Sequence, residues 1–158
     1  MTTECLRIAD QLRRAFTGEP WHGSPLRELL AGIAAKQACQ RPLPAAHTIW
    51  ELVLHFEVYV QAACEVVGGV PMPQIYGTPP DWRPVLDNSA AAWSAATDRL
   101  FQSAERLAKG IEGFTDERLM DTVPGREYDF YYLFHGIVQH SLYHAGQIAL
   151  LKKAVSEG

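Results

Sequence analysis

Residues 130–154 read FYYLFHGIVQHSLYHAGQIALLKKA, and the spacing inside this stretch decides the fold. Leu133, Ile137, His140, His144, Ile148 and Leu151 recur at intervals of three and four. That is the period of one helical face, and it predicts a helix from about 129 to 154. No formally charged side chain falls between Phe130 and Leu151. The run is long enough to span a bilayer. It also carries His135, Gln139, His140, Ser141, His144 and Gln147, polar groups that lipid would penalise heavily. A buried protein helix with a polar task is the expectation, with no membrane partner.

Three further long helical patterns precede it. The first covers about 3–16, with Cys5, Ile8, Ala9, Leu12 and Phe16 on one side, and Gly18 and Pro20 end it. The second starts at Thr48, with Glu51 three residues on as a capping box. It continues through Ile49, Leu52, Val53, Phe56 and Val60 to Gly68 and Gly69. The third begins near 87–89 and reaches about Lys109, its inner stripe being Trp93, Ala96, Leu100, Ala104 and Leu107. A turn is expected at 110–113.

Between the first two, a short helix is expected over 25–34, with Ser24 as N-cap and Pro25 in the first helical position. A brief turn follows at 115–117, and Pro124-Gly125 reads as a tight turn. Residues 70–86, VPMPQIYGTPPDWRPVL, form a proline-rich ordered loop that lets the chain cross the bundle and can close a site. No strand pattern of convincing length appears. The expected architecture is all-α: a four-helix bundle with a long crossover loop and short connecting helices, one domain over 1–158.

Bulk properties exclude several roles. A length of 158 residues suffices for a core without disulfides. The formal net charge is −4 and no basic run is present, which argues against a nucleic-acid partner. Cys5, Cys39 and Cys64 are odd in number and form no C-x-x-C pair. With no apolar leader in MTTECLRIADQLRR, they point to a reducing cytoplasm.

Of six histidines, His140 and His144 carry the chemical signal. Side chains four apart on a helix lie on one face with Cβ atoms roughly 6 Å apart. Two imidazoles so placed can reach one ion at about 2.0–2.1 Å each. Both stand where the stripe calls for Leu or Ile, so each must be satisfied by an ion or a hydrogen bond. By spacing alone both readings stand. His55, between Leu52, Phe56 and Tyr59, lies at the edge of the second helix's stripe and can face a groove. By itself it reads as a boundary histidine with one hydrogen bond. His47 reads as a cap or loop residue and His22 as structural. His135, offset by about 140° from His140 on the helical wheel, is expected beside the third helix.

HGIVQHSLYHAGQIALLKK (135–153), HTIWELVLHFEVYV (47–60) and WHGSPLRELL (21–30) together resemble the DinB/YfiT-like family. The H-x-x-x-H-x-G-Q-I pattern of the last helix is the specific part. The resemblance implies a divalent metal, zinc or nickel, on His55, His140 and His144. It also implies a small-molecule substrate: the family includes transferases and isomerases using low-molecular-weight thiols, and members described as metal-dependent hydrolases. Homodimers are common in it.

Three neutral imidazoles leave an ion its full charge and an open position, as in catalytic zinc sites. Such an ion can acidify water for hydrolysis or hold a thiol in its reactive form for transfer. Glu51 is a candidate general base, with its capping-box role favoured. Gln147 can hydrogen-bond a ligand or a neighbouring helix, and Tyr132 and Tyr143 are candidate pocket walls. The alternative is a non-catalytic, stress-related bundle whose ion only pins helices together. G-x-S-x-G, H-E-x-x-H, phosphate-cradling glycine loops and the carboxylates of a di-iron bundle are all missing from the chain.

Overall fold

The computed structural model describes residues 3–156. Its helices are α1 (Glu4–Phe16), α2 (Leu26–Leu30), α3 (Ala35–Ala38), α4 (Ile49–Val67), α5 (Ala90–Glu112) and α6 (Phe130–Ser156). A 3₁₀ turn, Asp116–Met120, precedes α6. The described residues contain no strand, only a single bridge between Thr122 and Asp129.

The four long helices form the bundle, in the order α1, α5, α4, α6 around the ring, with α6 closing onto α1. Directions follow from paired positions. Along α4 and α5, Trp50 meets Trp93, Glu57 meets Arg99, Cys64 meets the Ser103 carbonyl and Val67 meets Gly110. Both numbers rise together, so these neighbours run parallel. Arg13 of α1 pairs with Glu105 while Glu4 and Cys5 donate to Asp116, so α1 and α5 are antiparallel. A parallel pair cannot be joined by a tight turn. The chain must return the length of the bundle, which the 70–86 loop does by running back along α4.

The stripes read from the sequence are the core. Cys5, Ile8, Ala9, Leu12 and Phe16 of α1 are buried, as are Trp93, Ala96, Leu100, Ala104 and Leu107 of α5. Each long helix has its start signal. Thr3, Thr48 and Ser89 accept at the N-caps of α1, α4 and α5, and Asp129 accepts from the Tyr132 amide at the head of α6. At α4 the capping box is complete: Glu51 N–H donates to Thr48 Oγ1 at 3.1 Å and Thr48 N–H to Glu51 Oε2 at 2.8 Å.

Four expectations are corrected. The short helix ends at Leu30, not 34, because Gly32 turns the chain with φ +76°. Its N-cap is Pro25 rather than Ser24, and a further four-residue helix, α3, follows. Gly110 does not end α5, which continues to Glu112; without a Cβ, it lets Val67 of α4 approach closely. His135 faces α1 rather than the third long helix, its Nε2 lying 3.7 Å from Glu4. Cys5 is buried, Cys39 and Cys64 are half-buried, and all three thiols are free. Among the described residues no helix is long and apolar enough to cross a membrane.

Thr48 is buried and satisfies the head of the helix that carries His55. Thr48→Ala is expected to destabilise the protein by about 1 kcal/mol. Urea unfolding checks this; an unchanged midpoint would show that the cap contributes nothing.

Candidate metal centre

Antiparallel packing of α4 against α6 brings His55, His140 and His144 together. His55 Nε2 lies 2.9 Å from His140 Nε2, which lies 3.1 Å from His144 Nε2. His55 and His144 are buried, at 4% and 6% exposure. They form the floor of a pocket of about 400 Å³ that His47, Tyr59, Tyr76, Trp82 and Tyr143 wall.

The outer nitrogens fix the tautomers. His55 Nδ1 donates to the backbone carbonyl of Asp81 at 2.8 Å, and a carbonyl can only accept. His144 Nδ1 donates to Gln147 Oε1 at 2.6 Å. A neutral imidazole protonated at Nδ1 presents a bare lone pair at Nε2. His140 Nε2 can supply at most one proton to the two lone pairs facing it. At least one buried nitrogen contact therefore lacks any hydrogen, an arrangement that is costly unless a cation fills it.

Distances agree with an ion. Nitrogens bound tetrahedrally at about 2.0–2.1 Å sit about 3.3 Å apart, close to the spacing seen here. A donor set of three neutral imidazoles suits a first-row transition ion and does not by itself select one.

Burial keeps the trio neutral. Desolvation, then the neighbouring imidazoles of His144 and His55, holds His140 down to about 3. Desolvation likewise lowers His55 and His144, against the pull of Asp81 and Gln147 respectively.

Asp81 is the residue sequence reasoning missed. It comes from the crossover loop and is 4% exposed. Its carboxylate lies 3.2 Å from His55 Nδ1, accepts from Tyr59 Oη at 3.1 Å, and accepts from the Gly77 amide at 3.1 Å. Burial, then that carboxylate, pushes the Tyr59 phenol up. The next residue, Trp82, stacks flat on His55 at 3.9 Å and on His47 at 3.4 Å. Arg83 then ties the loop to α4 through buried Glu57, which Arg99 also pairs. The signal available was the Asp-Trp-Arg run in a proline-rich loop, but no period links a loop to a helix.

The other candidates sort clearly. Gln147 touches a histidine of the trio, and Tyr143 lines the pocket. Tyr132 is exposed and packs at a tilt against Tyr128, outside the pocket. His47 joins the pocket wall, an addition to its place at the helix start. Glu51 is engaged in the capping box and by Arg41, whose Nη2 reaches both carboxylate oxygens at 2.7 and 2.8 Å. Burial opposes ionisation of Glu51, yet the Thr48 amide and Arg41 outweigh it and lower its pKa. His22 lies in an exposed connection between α1 and α2.

Comparison with known proteins supplies a family. The family model described as the DinB superfamily matches residues 21–148. A crystal structure described as the conserved protein of locus from Enterococcus faecalis is similar over 100% of both chains, with a TM-score of 0.75 and 14% identity. At that identity the likeness concerns the fold alone. A search of curated proteins gave no match.

In chelator-treated protein the folded state keeps these imidazoles neutral, whereas the unfolded chain takes up their protons near 6.5. Acid therefore favours unfolding, and stability is expected to fall as pH drops from 6.5 toward 3. His140→Leu should make the decline between neutral and mildly acidic pH shallower in urea titrations. Equal slopes would show that His140 is not held neutral.

Proposed function

The chain belongs to the DinB superfamily, and from that premise we propose that it is a metal-dependent enzyme acting on a small molecule. It would hold one divalent ion, zinc or nickel, on His55, His140 and His144. The observation that carries this reading is the convergence of three Nε2 atoms, short of protons, on the floor of a pocket. When bound, the ion supplies Lewis acidity, which acidifies a water or a thiol presented to it.

The protein's own groups do the positioning. Asp81 aims His55 through its backbone carbonyl, and Gln147 aims His144. Trp82 covers the face of His55 and keeps water off it. Among the described residues no buried carboxylate reaches the trio's Nε2 atoms: Asp81 approaches His55 from the opposite ring nitrogen. An ion there keeps its charge and can acidify a thiol or a water alike; placing thiol transfer first and hydrolysis second rests on the family resemblance. The low-molecular-weight thiol and a homodimer are expectations that rest on the family resemblance.

A structural role for the ion is the second reading, favoured by the ligands coming from two helices, α4 and α6. An ion would then act as a cross-link and need no substrate pocket.

Elemental analysis of purified protein is expected to give one zinc or nickel per chain, lost in His140→Ala. Metal-dependent turnover should appear in a panel pairing thiols with electrophiles, or with esters and amides. Stoichiometric metal with no turnover in either panel, and a melting temperature that drops several degrees on chelation, would favour the cross-link. Asp81→Ala should weaken metal affinity by about 10- to 100-fold, because it removes the carboxylate beside His55 Nδ1 and the contacts to Tyr59 and Gly77 that hold the orienting carbonyl in place. Competition with a chromophoric chelator reads this directly.

A further inference from the structure

We propose that the substrate is a neutral molecule with a hydrocarbon arm, and that the arm lies in a second groove continuous with the histidine pocket. This rests on the reading of the trio as a reactive metal centre. The first observation is the charge of the walls. Beyond the histidines, the pocket presents Tyr59, Tyr76, Trp82, Tyr143, Gln147 and Asp81; the Asp81 carboxylate is already engaged by Tyr59, the Gly77 amide and His55, and no Arg or Lys lines the pocket. The cations in the surrounding segments are engaged elsewhere. Arg83 pairs with Glu57, Arg41 with Glu51, Arg126 with the Pro73 carbonyl, and Lys152 with the carbonyls of Glu28 and Ala31. An anionic group in the histidine pocket would meet aromatic faces, which carry negative quadrupolar charge, and the Asp81 carboxylate, with no guanidinium to receive it.

The second observation is the groove. It measures about 310 Å³ and is lined by Leu43, Ala45, Ala46, Leu52, Leu150 and Leu151. It shares His47 and Gln147 with the histidine pocket, so the two cavities meet at those side chains. None of its walls is formally charged. Leu43 and Leu150 are 55% and 67% exposed, leaving apolar surface in water that a bound chain would cover. The groove is also preformed. Ala46 N–H donates to the Leu43 carbonyl at 3.0 Å, and Arg41 binds the Ala46 carbonyl while it pairs with Glu51. Little ordering remains to oppose binding.

The test is calorimetric. Zinc-loaded protein is titrated with butane-, hexane- and octanethiol and with ω-mercapto acids of matching length. Chelator-treated protein is titrated with the matching alkanols, which probe the groove without metal. Affinity should rise about fourfold per methylene where the arm is buried. A terminal carboxylate should weaken binding by about tenfold or more. Leu43→Asp and Leu150→Asp, both at exposed positions, should flatten the length dependence and leave zinc stoichiometry unchanged. Flat length dependence in both arms, or mercapto acids that bind as well as alkanethiols, would overturn the proposal. Loss of zinc binding with the alkanol series intact would sink the metal reading and leave the groove standing. If Leu150→Asp turns a dimer into a monomer with the length dependence unaltered, the groove is a self-interface and the proposal falls.

Discussion

The hydrogen bond from His55 Nδ1 to the Asp81 carbonyl joins the two halves of the site. It sets the tautomer of His55, so that Nε2 faces the other imidazoles as a lone pair. It also fixes where the crossover loop lies on α4. A single polar contact thus decides both the chemistry of the pocket floor and the placement of its roof. The neighbouring residues reinforce it: Trp82 by stacking on the same imidazole, and Arg83 by an ion pair with the buried carboxylate of Glu57, two residues along α4 from His55. A buried carboxylate such as Glu57 is tolerated because two guanidiniums meet it, so the loop is anchored by matched charge rather than by apolar area.

That geometry follows from the bundle's topology. Parallel α4 and α5 require a connection as long as the helices themselves. A chain segment returning along α4 must pass the middle of that helix, where His55 sits. The loop is therefore more than a linker, and its prolines restrict the backbone that carries Asp81. α6, antiparallel to α4, delivers two histidines from one face to the same level. The site needs all three segments, which explains why its three histidines and Asp81, which orients His55, lie so far apart in sequence.

The helices were legible because burial imposes a period. The stripes of α1 and α5 could be read residue by residue, and so could the caps Thr48 and Glu51, whose geometry is local. His140 and His144 stood out because they interrupt an apolar stripe. His55 did not, since an edge histidine has many ordinary roles, and resemblance to a family brought it in. Asp81 and Trp82 were out of reach: their partners are on another element, and loop contacts have no period. His135 shows the same limit. The helical wheel gave its offset from His140 correctly, but which helix lies on that side depends on the order around the ring. The chain does not follow that order, since α1 and α4 stand on a diagonal.

The polar groups around the trio are matched. Asp81 meets Tyr59, Gly77 and His55; Gln147 meets His144; Glu57 meets two arginines; Glu51 meets Thr48 and Arg41. The Nε2 atoms of the three histidines are left with more lone pairs than protons. A bundle built only for stability would place Leu or Ile there, as the stripe of α6 does on either side with Ile137 and Ile148. Keeping three neutral imidazoles in that position lowers the stability of the metal-free fold, and function is the usual reason such a deficit persists. The same logic separates the two roles considered for a metal. A cross-link would gain from a sealed, apolar surround, whereas these imidazoles open onto a pocket with aromatic walls and an apolar extension. That surround supports the proposed substrate pocket over the cross-link.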